Sequence, residues 1–214
     1  MSGRLELLED ARIRVEMRSA IRDAYGGDPC AGQPPIVLKS LCVDSRRAIQ
    51  LRPALLRLLD DHGRVIAQHS AERSLAELAP AQLYGTRRRT FLFTVDLSAG
   101  VGSYSGPYTR LAEPNDRGFG WLTADSAGVA RDTITLVSTL KTAWQRKPRS
   151  DGRGDDLLMV MCRPDFTAAD SANDGFVLTF KRWSFDDGRW VLRQRQERGC
   201  YESDEQFPPV TRFP

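Results

Sequence analysis

The sequence predicts an α+β fold that is predominantly antiparallel β, with about eight or more short strands and one or two helices. Three stretches carry that expectation. In "FLFTVDL", Phe91, Phe93, Val95 and Leu97 alternate with Leu92, Thr94 and Asp96, the period-two signature of a strand. In "GFVLTFKRWSFDDGRWVLRQRQE", two β-branched and aromatic runs flank Asp186-Asp187-Gly188, a hairpin signal. In "SAERSLAELAPAQLYG", residues 72–79 are rich in good helix formers and Ser70 can cap them, which predicts a short helix.

The other elements follow in chain order. Residues 1–10 are expected to be a flexible N-terminus or a cloning remnant, and 11–214 a single globular domain. "ARIRVEMR" alternates strictly from Ala11 to Arg18 and suits a strand, with a helix through Tyr25 as competitor; "GGDPCAGQPP" ends it by glycine and proline punctuation. "IVLKSLCV" is short and β-branched, a strand. In "PALLRLLDDHGRVIAQ" the leucines also suit a helix, but "DDHG" between apolar runs favours a hairpin.

Further along, "YTRLAEPNDRGFGWLTAD" reads as two strands around a Pro-Asn-Asp-Arg-Gly turn. "ARDTITLVSTLKTAW" reads as strand, helix or one passing into the other. Residues 145–156, "QRKPRSDGRGDD", are charged and glycine-containing and predict an exposed, mobile loop. "LLMVMCRP" lacks polar alternation, which predicts a strand buried on both faces.

Composition narrows the function classes. The chain has 214 residues, enough for one substantial core. Its 31 basic and 28 acidic residues leave a net charge of only +3, a mixed field that does not argue for nucleic acid. Lysine occurs only at Lys39, Lys141, Lys147 and Lys181, so arginine supplies most of the positive charge. No apolar run approaches the length of a transmembrane helix. The N-terminus also lacks the uninterrupted apolar segment of a signal peptide. Location is therefore periplasmic or secreted if a leader has been removed, and cytoplasmic otherwise.

The four cysteines are Cys30, Cys42, Cys162 and Cys200, with no C-x-x-C. His62 and His69, the only histidines, are far from them in sequence, so zinc spacings are absent and no metal or cofactor is expected. Two readings stand for the cysteines: buried free thiols, or bridges Cys30–Cys42 and Cys162–Cys200.

No catalytic residue is assigned. Neither histidine is placed to serve a serine or cysteine nucleophile, and "SYSGP" is not the G-x-S-x-G elbow. The glycines after Phe93 lead into proline and a second strand, not into a helix that could hold phosphate. Paired acids at Asp60-Asp61, Asp155-Asp156, Asp186-Asp187 and around Glu202 read as solvated turn residues. Arg46-Arg47 and the run 87–89 read as solvated charge. Phe180, Trp183, Phe185 and Trp190 could stack on a glycan, but cross-strand aromatics more often hold a hairpin to its core.

That leaves "SAGVGSYSGPY". Gly100, Gly102 and Gly106 let the backbone turn; Ser98, Ser103 and Ser105 supply small polar groups; Tyr104 and Tyr108 supply rigid area with a polar tip. This is the composition of a recognition surface. Locally, residues 98–104 resemble the loop that bacterial periplasmic lysozyme inhibitors insert into their target, where a serine and a tyrosine flank a small-residue turn. The resemblance is confined to that stretch and implies a mode of binding. The expected function is therefore an interaction protein that binds a protein partner through Ser98, Ser103, Tyr104, Ser105 and Tyr108, with an inhibitor or immunity-like partner of a cell-wall-active enzyme as the form the resemblance implies. The competing class is a carboxylate-dependent enzyme acting on a glycan or another small polar substrate.

Overall fold

The computed structural model describes residues 4–8, 54–59, 62, 64–71, 76–81, 83–84, 90–96, 103–115, 118–126, 129–165 and 175–214. Their regular structure is fourteen strands and one 3-10 turn. In chain order the strands are β1 (Arg4–Leu8), β2 (Leu55–Leu59), β3 (Val65–Ser70), β4 (Ala76–Ala81), β5 (Thr90–Asp96), β6 (Pro107–Asn115) and β7 (Gly118–Trp121). There follow β8 (Thr123–Ser126), β9 (Val129–Thr133), β10 (Thr135–Val137), β11 (Thr142–Pro148), β12 (Asp155–Pro164), β13 (Phe176–Asp186) and β14 (Arg189–Arg198). The α+β expectation is thus corrected to a nearly all-β protein.

The predicted helix over 72–79 is overturned at its C-terminal half, where Ala76–Ala81 pair antiparallel with β5 from Ala76↔Val95 to Ala81↔Thr90. Cross-strand pairing overrides the local helix propensity of Glu77, Leu78 and Ala79. Pro80 explains why this is tolerated: β4 is an edge strand, where a residue without an N–H costs no ladder bond. Arg4–Leu8 pair antiparallel with β2.

The strands form three sheets of order β1-β2-β3, β10-β6-β5-β4 with β7 beside β6, and β11-β12-β13-β14-β8-β9. Two cores separate them. Leu56 and Leu58 of the first sheet meet Phe93, Val95, Tyr108 and Ala112 of the second. On the opposite side of the second sheet, Leu111 and Leu136 meet Leu157, Met159, Trp183 and Trp190 of the third. The alternation read in "FLFTVDL" divides Phe93 and Val95 from Leu92 between these two cores. The outer face of the third sheet, with Leu158, Val160, Leu178 and Phe180, is covered by Tyr201, Phe207 and Phe213 from the C-terminal segment.

Several strand pairs form where the sequence places hairpins. β2 and β3 pair as a hairpin across "DDHG", and β6 and β7 pair around "NDRG". β13 and β14 pair through Asp186↔Arg189, with Asp187 at φ 50° and Gly188 at φ 81°, the positive values a two-residue hairpin turn requires. The ambiguous "ARDTITLVSTLKTAW" is strand throughout its regular parts, in β9, β10 and β11. β12 is buried along most of its length, as its unbroken apolar run predicts.

The loop expected over 145–156 is shorter than predicted. Gln145 pairs with Leu158 and Pro148 with Asp155, so only 149–154 lie outside strands. Gly154, at φ 107°, brings this turn against Leu83: the Asp155 N–H donates to the Leu83 carbonyl at 3.1 Å, and a Cβ at Gly154 would sit 2.1 Å from that oxygen.

Cys162 and Cys200 are bridged, with Cα atoms 4.9 Å apart, fastening the C-terminal segment to β12. Cys30, Cys42, residues 11–18, the predicted strand over 36–43 and the arginines at 46–47 and 87–89 lie outside the described residues. No helix among the described residues is long and apolar enough to cross a membrane.

Candidate functional site

Two surfaces combine exposed aromatic or apolar area with polar groups. The first is the turn that leads into β6. Ser98 lies outside the described residues. Ser103 and Ser105 are half-buried, and Tyr104 between them is 47% exposed. Tyr108, expected to be exposed, is instead 6% exposed: it sits inside β6 opposite Val95 and Val137 and packs into the core between the first two sheets. The turn therefore presents one tyrosine and keeps the other as its anchor.

A second turn supports the first. The Ser138 N–H donates to the Pro107 carbonyl at 3.0 Å, and a Cβ at Gly106 would lie 1.9 Å from the Ser138 carbonyl oxygen and 3.1 Å from the Thr139 methyl. Only glycine allows these backbones to approach so closely. Just beyond Thr139, Leu140 is 59% exposed. The Leu140 carbonyl accepts from the Ser203 N–H at 2.8 Å, which ties this turn in turn to the bridged C-terminal segment. Tyr104 and Leu140 thus stand on two turns braced by three separate parts of the chain. The sequence reading does not single out Leu140, because neither a strand nor a helix over "ARDTITLVSTLKTAW" marks the turn it occupies between β10 and β11.

The second surface is a cleft of about 180 Å³ where the second and third sheets meet. The chain passes between those sheets at Leu122, whose N–H donates to Leu111 and whose carbonyl accepts from Ile134. Tyr84, Phe185 and Trp190 form the inner wall. The Trp190 indole N–H donates to the Tyr84 hydroxyl at 2.9 Å, and the Tyr84 ring meets Phe185 edge-on at 4.5 Å. Half-buried Trp121 and Glu113 contribute from β7 and β6. At the rim, Asp125 accepts from Arg131 at 2.8 Å and from Arg189 at 3.3 Å, one guanidinium to each carboxylate oxygen.

The aromatic set singled out in the sequence divides. Phe180 and Trp183 are buried in cores on opposite faces of the third sheet, while Phe185 and Trp190 reach the cleft. Tyr84, Trp121 and Asp125, which complete the cleft, come from separate segments with no shared sequence pattern.

Two of the paired acids, Asp156 and Asp186, are more structured than solvated turn residues, while Asp187, Glu202, Asp204 and Glu205 are exposed as expected. Asp156 is 3% exposed and accepts from Arg182 at 2.9 and 2.5 Å, a correction to the solvated reading. Buried carboxylates persist when paired in this way. Arg149 lies 3.9 Å from Asp156 and donates to Asp186 at 2.8 Å and to Asp151 at 2.9 Å. The Arg149 hydrogen bond holds the Asp186 carboxyl below its ordinary value, with a further contribution from Arg193. This cluster closes the turn between β11 and β12 onto the β13–β14 hairpin. Among the described residues, no group of three or more His, Cys, Asp or Glu is placed to hold a metal ion.

No family model matches the chain, and neither a curated protein nor a solved structure matches it.

Proposed function

We propose that the protein is a binding module that presents the turn at Ser103–Gly106, together with Leu140, to a protein partner. The observation that carries this reading is the pair of exposed apolar side chains on braced neighbouring turns: Tyr104 at 47% and Leu140 at 59% exposure. Interfaces draw most of their energy from a few rigid anchors, with tyrosine prominent among them. Bracing by Gly106, Ser138 and Ser203 lowers the ordering cost of binding.

The partner class is a cell-wall-active enzyme, as the local resemblance of residues 98–104 implies. The Cys162–Cys200 bridge supports work in an oxidising compartment, periplasmic or extracellular. The competing reading, a carboxylate-dependent enzyme, has less support, because both oxygens of Asp125 in the cleft are already engaged by arginines.

The test is direct binding and inhibition against a panel of peptidoglycan hydrolases, comparing wild type with Tyr104→Ala and Leu140→Ser. Truncating an anchor should weaken binding by about 2 kcal/mol, close to thirtyfold, with thermal unfolding unchanged. Absence of any bound hydrolase, or equal affinity in all three proteins, overturns the reading.

A further inference from the structure

The inner face of the third sheet, which packs on the second, does not stay apolar to its end. Side chains paired directly across strands share a face, so the register of β12, β13 and β14 lays them out in rows. The row of Leu157, Trp183 and Leu192 lies in the core between the two sheets. At the far end of β12 the row is Arg163, Val177 and Arg198, and both arginines are exposed. Between these rows stand half-buried Lys181 and buried Thr179, with exposed Gln194 and Gln196 opposite them on β14.

These rows carry three cations and no carboxylate. Among the described residues, none of Arg163, Lys181 and Arg198 has an ion-pair partner, whereas Arg182, Arg193 and Arg195, on the outer face of the same hairpin, all have one. The Lys181 ammonium lies 6.0 Å from the centre of the Trp183 ring. Burial first and Arg163 second push that ammonium below its ordinary value; the attraction of Asp132, whose carboxylate accepts from the Thr133 N–H at 2.8 Å, ranks behind both. The local field is therefore positive and uncompensated.

Arg163 and Arg198 stand two strand spacings apart, roughly 10 Å between Cα atoms, and Lys181 lies roughly 14 Å further along the strands from their row. An extended chain with repeated anionic groups can meet all three in turn. Neutral hydrogen-bonding groups fill the space between them: the Thr179 hydroxyl accepts from the Gln196 amide at 3.3 Å, and Gln194 is exposed beside it. Nucleic-acid bases would need exposed rings to stack on, whereas Trp144 and Trp183, in the rows at and next to Lys181, pack into the core. We infer that this end of the third sheet binds an acidic polysaccharide, its sulfate or carboxylate groups on Arg163, Arg198 and Lys181 and its hydroxyls among Thr179, Gln194 and Gln196. None of these residues belongs to the turns at Tyr104 and Leu140.

The experiment follows backbone amide resonances by NMR during titration with a sulfated heparin hexasaccharide, with hexagalacturonate, which carries carboxylates alone, and with an oligothymidylate of similar length. At least one hexasaccharide should shift the amides of Val177, Thr179 and Lys181 saturably, and its affinity should fall as salt rises from about 0.05 M to about 0.3 M. The tighter of the two identifies the anionic group. Arg163→Ala and Arg198→Ala, at exposed side chains, should each weaken that binding at least threefold and together at least tenfold, with thermal unfolding unchanged. Arg153→Ala, at a side chain 76% exposed in the β11–β12 turn, and Tyr104→Ala should bind as wild type does. The inference is overturned if neither hexasaccharide moves these amides, if oligothymidylate binds as tightly, if the double arginine variant binds as well as wild type, or if Arg153→Ala costs as much as Arg163→Ala.

Discussion

The indole N–H of Trp190 donates to the hydroxyl of Tyr84 at 2.9 Å, joining residues 106 positions apart in the chain. Tyr84 is 2% and Trp190 3% exposed, so both groups are largely shielded from water. Tyr84→Phe keeps the ring and removes the acceptor. The stranded indole N–H should cost about 1–3 kcal/mol, read as a lowered urea midpoint with unchanged m-value.

Gly106→Ala tests the brace behind the protein-binding turn. The added methyl would lie 1.9 Å from the Ser138 carbonyl oxygen, which is backbone and cannot rotate away. One of the two turns must shift, so partner affinity should fall at least tenfold together with about 1–3 kcal/mol of stability. Gly152→Ala in the β11–β12 turn, where no atom lies within 4 Å of the new methyl, should leave partner affinity as it was.

The Cys162–Cys200 bridge spans 38 residues, for which loop-closure entropy gives about 3–4 kcal/mol. Cys162→Ser with Cys200→Ser should lower unfolding free energy by that amount, and reductant should then have little further effect through this pair. Alkylation of the unreduced, unfolded protein followed by mass spectrometry should leave Cys162 and Cys200 unmodified. Labelling of both would remove the bridge from the description.

Stability should fall at acid pH through Asp186. Its carboxyl sits below the ordinary value of 3.8 because of Arg149 first and Arg193 second. The folded pKa is the lower one, so this contribution is fully present above the unfolded value and is lost as pH falls through the folded one. Asp186→Asn should therefore cost about 1 kcal/mol at pH 7, and its gap from wild type should shrink as pH falls below about 4. Denaturant titrations at pH 7 and pH 3 check this; a gap that widens in acid would contradict it.

Local signals were legible where they were self-contained. The β13–β14 hairpin is written into Asp186-Asp187-Gly188, and its register follows from the turn. The strand β4 was obscured because Ala76, Glu77, Leu78 and Ala79 prefer a helix in isolation; Pro80 was the local sign against one. Asp156 was read as a solvated turn acid because its partner Arg182 lies across a strand pairing, and sequence spacing does not show which residues a register brings together. The cleft was hidden for the same reason: Tyr84, Asp125 and Trp190 converge only once the second and third sheets have packed together. Serine, glycine and tyrosine content did mark the turn at Tyr104, but composition does not distinguish the exposed Tyr104 from the buried Tyr108.

The parallel pairing of β8 with β14 has a consequence for the order in which the protein is made. Ala124 lies opposite Trp190, and β8 has only β9 as its other neighbour. On the ribosome β8 and β9 emerge well before β14 exists, and a two-stranded ribbon is too small to persist alone in water. The third sheet therefore assembles backwards, its last-synthesised hairpin supplying the edge to which earlier strands attach. Until that hairpin is released, β8 and β9 are open to pairing with other chains. An early stop before Arg189 would thus remove more than its own residues, since it would also strand a ribbon whose Ala124 lies sixty-six positions upstream of its partner Trp190.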